Sequence, residues 1–229
     1  MPFPLRLPAH LLATGLLLLL ACRPPAASPP YDSLIPTDTL VRAEPSARAQ
    51  LRQETRQARR FLILYDSPDP AARAAYQEAL TRLAQGNRYL EVVVSTPQAA
   101  DSLQAHTWPL LLVGTPAAFP LLSRPELPLR ATAEGFFLDS EVLSGKDLLA
   151  QVHIVPHPER PRQALSYLTA STDSRLLDFL QSPQANRLLR ERWAYQVLEG
   201  ADPWLIGDLN SEGKPNPNRQ WDLRPPPQA

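Results

Sequence analysis

Short apolar runs separated by segments of helical period dominate the chain from residue 61 onward. Phe61-Leu-Ile-Leu-Tyr65 is continuous apolar sequence bounded by turn residues, the pattern of a strand buried on both faces. Asp69 as N-cap and Pro70 at the first helical position open a helix that runs from Ala71 to Gln85 and stops at Gly86-Asn87. Tyr89–Val94 reads as a second strand, Pro97–Gln104 as a short helix and Pro109–Val113 as a third strand. Gly114-Thr115-Pro116 then turns into a helical segment near Ala117–Leu122. Strand, helix, strand, helix, strand with short turns predicts right-handed parallel crossovers and half of a doubly wound sheet.

Beyond Leu122 the rhythm changes. Gly135–Leu138 and Val142–Gly145 predict a hairpin, Leu148–Val155 and Ala164–Thr169 two further strands, and Asp173–Gln181 a helix. Gln184–Leu198 reads as a helix running into a strand. The expected fold class is therefore α/β: a three-layer, mostly parallel, flavodoxin- or Rossmann-like sheet with antiparallel edge strands. Ahead of it, Ser46–Arg60 has strong helix formers throughout. Its Arg48, Arg52, Arg56 and Arg59 or Arg60 form a basic stripe, which reads as a solvated helix face and, beside a lipid anchor, as a surface for anionic headgroups.

The amino-terminal pattern is different in kind. Leu11–Ala21 is an apolar run well short of the ~20 residues that span hydrocarbon, and it ends on Cys22, the single cysteine. Position, length and the small residue before Cys22 point to a secretory signal. Leu19-Leu20-Ala21-Cys22 resembles the lipobox of bacterial lipoproteins. That resemblance implies a thiol acylated with diacylglycerol, cleavage before Cys22, and a cell-envelope location on the extracytoplasmic side of a bacterial membrane. Cys22 acylation would leave the mature domain without a thiol for disulfides or nucleophilic catalysis.

These readings divide the chain into a signal peptide (1–21), an acylated Cys22 with a proline-rich tether (22–45), one α/β domain (46–198) and an irregular Pro/Asn-rich tail (199–229). Composition supports the tether: proline outnumbers glycine 27 to 8, favouring stiff connections. Arg23–Pro45 reaches about 70 Å if wholly extended at ~3.1 Å per residue. Formal charge is zero, which offers no global field for nucleic acid.

Ligands of open parallel sheets bind beyond the carboxyl ends of the strands, at a switch in strand order. With order 2-1-3 that crevice is lined by Asp66, Ser67 and Asp69 after the first strand and by Gly114 and Thr115 after the third. Free amides at a helix start after Gly114 suit an anion, although turns and N-caps demand the same residue types. No Gly-x-Gly-x-x-Gly, Walker loop or Gly-x-Ser-x-Gly is present, so the sequence predicts neither a nucleotide cradle nor an α/β-hydrolase elbow, and no cofactor. His153 and His157 lie four apart, but on a strand that separation is ~13 Å, too far to share a metal. Asp208, Asn210 and Glu212, followed by Gly213, match the start of a calcium loop and resemble dockerin and EF-hand repeats over those few residues. Position twelve is Arg219 in place of a carboxylate, and a polar turn is the expected reading.

Three functional readings follow. The first is a lipid-anchored accessory or partner-binding module without catalysis, whose partners are the membrane and an envelope protein. The second is a hydrolase, or the N-terminal domain of a surface hydrolase, with an atypical site around Asp66 and Thr115. The third is small-ligand capture at the same crevice.

Overall fold

A computed structural model describes residues 46–103, 107–132, 134–143, 145, 147–189 and 193–224. The lipobox and tether expectations lie outside these residues. The chain begins with α1 (Ala47–Gln57), capped by the Ser46 hydroxyl, and continues through β1 (Arg60–Tyr65), α2 (Pro70–Gln85), β2 (Glu91–Ser95), the short α3 (Pro97–Ala100) and β3 (Leu110–Val113). β4 (Leu129–Thr132), β5 (Gly135–Leu138) and β6 (Glu141–Leu143) form a small antiparallel sheet. β7 (Leu148–His157), β8 (Arg160–Ala170), α4 (Asp173–Gln181), β9 (Tyr195–Glu199), β10 (Asp202–Leu209) and β11 (Pro215–Asp222) complete the described elements. Among the described residues no helix is long and apolar enough to cross a membrane.

The main sheet has the order β11-β10-β9-β7-β8-β3-β1-β2. β2, β1, β3 and β8 run parallel. Every junction from β8 through β7, β9 and β10 to β11 is antiparallel. This corrects the expected fold class. The local order 2-1-3 is present, but pairing across the eight strands is mostly antiparallel, so the architecture is not a mostly parallel Rossmann-like sheet. Turn chemistry explains the change. β7 and β8 are joined by the tight connection His157–Arg160, which allows only an antiparallel return. β9 and β10 are joined through Gly200, whose φ of 62° is readily adopted only without a Cβ. Residues 199–229, expected as an irregular tail, supply β10 and β11.

The two faces of the sheet are covered differently. Phe61, Ile63 and Tyr65 of β1 point with Leu111, Val113 and Leu168 to one side, against Tyr76 and Leu80 of α2 and Leu176 and Phe179 of α4. Leu62, Leu110, Leu112, Leu165 and Tyr167 point to the other, where Phe119, Leu122, Leu129, Phe136 and Leu138 cover them. Thus the small β4–β6 sheet, not a second helical layer, closes much of that face. Pro116, Pro120, Pro125 and Pro128 prevent a long helix after β3, leaving a single 3-10 turn at Pro120–Ser123. The Tyr167 hydroxyl donates to the Leu129 carbonyl and ties the layers together.

α1 packs through Leu51 against Ile154 and Ala164. Arg48 is buried, unlike the solvated stripe expected of it, and donates from Nε to the Ile154 carbonyl at 3.0 Å. Ile154 sits at φ 52° where β7 shifts register, an uncommon conformation for a β-branched residue. Its N–H donates to Ser166 Oγ at 3.1 Å, so the bulge is held from both sides.

Candidate functional site

The five crevice residues fall into two environments. Asp66 Oδ1 accepts the Ser67 N–H at 2.8 Å and lies 2.8 Å from Arg73 Nε. Ser67 Oγ accepts the Asp69 N–H at 3.0 Å and donates to Asp173 Oδ2 at 2.7 Å. Asp69 Oδ1 caps α2 by accepting the Ala71 N–H at 2.9 Å. The second Asp173 oxygen accepts from the Tyr76 hydroxyl at 2.6 Å, and burial together with this carboxylate pushes the Tyr76 phenol well above its ordinary pKa. Asp66, Ser67 and Asp69 therefore join α2 to α4 in a closed polar network. No local pattern around Ser67 signals that Asp173 arrives from 106 residues away to complete it.

Gly114 and Thr115 follow β3. The Gly114 N–H donates to the Leu168 carbonyl at 3.2 Å, and the N–H groups of Ala118 and Phe119 both donate to the Thr115 carbonyl at 3.0 Å. The amides of Gly114, Ala118 and Phe119 are thus engaged in closing a turn and do not face a ligand. Gly114 is required by close approach: a Cβ there would stand 2.8 Å from both the Asp66 carbonyl oxygen and the Phe119 ring. Gly114→Ala is expected to cost about 2 kcal/mol and to lower the thermal midpoint by roughly 4–8 °C. An unchanged melting curve would contradict this reading of the turn.

Thr115 borders a cleft of about 790 Å³ between the carboxyl ends of β3 and β8 and the small sheet. Pro116, Pro120, Phe136, Val142, Leu143 and Leu148 supply apolar walls, with Ser123, Thr132, Glu134 and Ser171 between them. The volume suits a small molecule or a few side chains of a partner. Ser123 Oγ donates to the Ala131 carbonyl at 2.7 Å and Thr132 Oγ1 to Glu134 at 2.6 Å. The Thr132 hydrogen bond lowers the Glu134 pKa, favouring an ionised carboxylate at the rim. The cleft thus offers apolar contact, one anionic group and, at Ser123 and Thr132, hydroxyls that already have partners. The sequence points to Thr115 and to the hairpin carrying Phe136, Val142 and Leu143, but no local pattern shows that this hairpin folds over the strand ends to face Thr115.

Asp208 lies in β10 and pairs with Arg219 of β11 at 2.7 Å. Asn210 Oδ1 accepts the Glu212 and Lys214 N–H groups at 2.9 and 3.0 Å. The proposed calcium-loop residues therefore build a hairpin connection. His157 Nδ1 accepts the Glu159 N–H at 3.1 Å in the β7–β8 turn. His153 instead forms the floor of a second cavity, of about 720 Å³, with Gln151 and Gln196 beside Phe179, Trp193 and Arg187. Burial, reinforced by Arg48, lowers its pKa to about 4. Sequence reasoning considered His153 only as a metal ligand, although its two-residue spacing from Gln151 was a signal for a shared face. Among the described residues no cluster of three or more His, Cys, Asp or Glu groups is arranged to hold a metal.

The sequence matches no protein-family model, and a search of curated proteins finds no significant match.

Proposed function

We propose that this chain is a lipid-anchored extracytoplasmic binding module, attached through Cys22, that recognises an envelope partner in the cleft between its two sheets without catalysing a reaction. The carrying observation is the division of labour at the strand ends. The residues with the richest chemistry, Asp66, Ser67, Asp69, Arg73 and Asp173, are engaged in joining α2 to α4. The neighbouring cleft presents apolar walls, including Val142 at 57% exposure on an edge strand. Accessible apolar surface rimmed by polar groups is the chemistry of association.

A photo-crosslinking residue at Val142, compared with one at exposed Gln77 on α2, tests this reading in cells that process the full chain. A discrete adduct from position 142 and none from position 77 is expected. No adduct at 142, or the same products from both positions, would contradict partner recognition in the cleft. Turnover of an ester or phosphoester by the purified protein, lost in Thr115→Ala with folding retained, would replace the binding module with a hydrolase.

A further inference from the structure

We propose that the amino-terminal end of the four parallel strands is a docking surface for an anionic lipid bilayer, orienting the cleft away from the membrane. The orientation rests on the Cys22 anchor; the affinity of the surface does not. Because β2, β1, β3 and β8 are parallel, their first residues share one end of the sheet. Register aligns Arg60 with Glu91, the Leu62 N–H donates to the Pro109 carbonyl, and Gln163 Nε2 donates to the Trp108 carbonyl at 2.8 Å. The flanking residues Arg88, Tyr89, Arg59, Trp108 and Arg162 consequently follow one another across four strands, a row of about 14 Å at ~4.8 Å per strand.

Arg59, Arg88 and Arg162 are exposed, and Tyr89 is 90% exposed. Trp108 is half-buried, with the Arg60 guanidinium 5.3 Å from its ring centre. The C-terminal turns of α1 and α2 add Arg56 and Arg82 at this end. Three of its nearby carboxylates are paired, Glu91 with Arg60 at 2.9 Å, Glu78 with Arg82 at 2.7 Å and Glu159 with Arg124 at 3.1 Å, and exposed Glu54 and Glu126 leave the arginines in excess. On the distant antiparallel edge, Asp208 pairs with Arg219, and Glu212 shares the hairpin with Lys214.

The opposite end carries Asp66, Asp69, Asp147, Asp173, Glu199, Asp202 and Asp222, against Arg73, Arg175 and Arg224. A formal charge of zero is therefore separated into a basic end and an acidic end. Arginines beside exposed Tyr and partly exposed Trp match the headgroup region, where aromatic rings sit at the interface and cations meet anionic lipid. Thr115 and Ser171 follow the carboxyl ends of β3 and β8, which places the cleft at the opposite end.

The test uses the mature chain from Cys22 with Cys22→Ser, so that no acyl chain contributes. Its probes are vesicles of equimolar phosphatidylcholine and phosphatidylglycerol, with pure phosphatidylcholine as the neutral control. Co-sedimentation with the anionic vesicles, lost at high salt and on neutral vesicles, is expected. Arg59→Glu combined with Arg162→Glu should weaken it by roughly tenfold or more, while Asp202→Arg at the other end, with circular dichroism unchanged, should not. Failure to bind anionic vesicles, equal binding to neutral ones, or unaltered binding by the double variant would overturn the proposal. Because acylation is absent from this assay, such a failure leaves the Cys22 reading to its own measurement.

Discussion

Replacing Asp173 by alanine is expected to destabilise the domain by about 3 kcal/mol, a fall of roughly 6–12 °C in the thermal midpoint. One carboxylate accepts from both Ser67 and Tyr76, at 2.7 and 2.6 Å. Tyr76 is fully buried in the helix-side core, so removing the acceptor leaves a phenol hydroxyl away from water. A charged acceptor contributes more than a neutral one, and an orphaned buried donor carries its desolvation cost. Asp173 also occupies the first turn of α4, where a negative charge is favourable. Tyr76→Phe removes the donor along with its need and should cost less, about 1 kcal/mol. The double variant should be more stable than the sum of the single losses predicts, because the two groups share one bond. Additive losses in urea unfolding would show that Asp173 does not act through Tyr76.

Acidification should weaken the fold through His153. Its pKa is lowered from 6.5 to about 4 in the folded chain, burial being the larger cause and Arg48 the smaller. Between these values the unfolded chain binds the proton and the native chain does not, so stability rises with pH across the window. The contribution is fully present above about pH 6.5 and is lost as pH falls towards 4, by roughly 3 kcal/mol in all. His157, lowered chiefly by its own burial, adds in the same direction. His153→Gln keeps a polar side chain of similar reach and removes the titration. Urea unfolding of both proteins from pH 7.5 to 4.5 should show the variant gaining relative to the parent as pH falls. Parallel stability curves across that window would contradict a neutral, buried His153.

Elements with a strong local period were legible in the sequence. β1 and α2 appear within a residue of their expected bounds, and α4 occupies Asp173–Gln181 as its cap predicted. Strand direction was not legible, because β7 and β8 have apolar runs that suit either pairing, and direction is decided by a short connection rather than by the strands. β11 was hidden by composition. Pro215 and Pro217 argue against a central strand, but two residues apart they remove donors on one side only, which an edge strand tolerates.

The site was partly legible for a related reason. Strand-end rules pointed to Asp66 and Thr115 together, yet Asp66 belongs to the network joining α2 and α4, whereas Thr115 borders the cleft under the small sheet. Long-range partners such as Asp173 leave no periodic trace in the sequence around the residues they engage.

Mass spectrometry of the N-terminal peptide, after expression of the full chain in a lipoprotein-processing bacterium, tests the anchored-module account most directly. The predicted result is a mature chain beginning at Cys22 with a diacylglycerol thioether on Sγ, whereas Cys22→Ser, lacking the thiol that acylation and the cleavage after it require, should stay unacylated and keep its leader. A chain retaining Met1, or one carrying an unmodified Cys22 thiol, would contradict it.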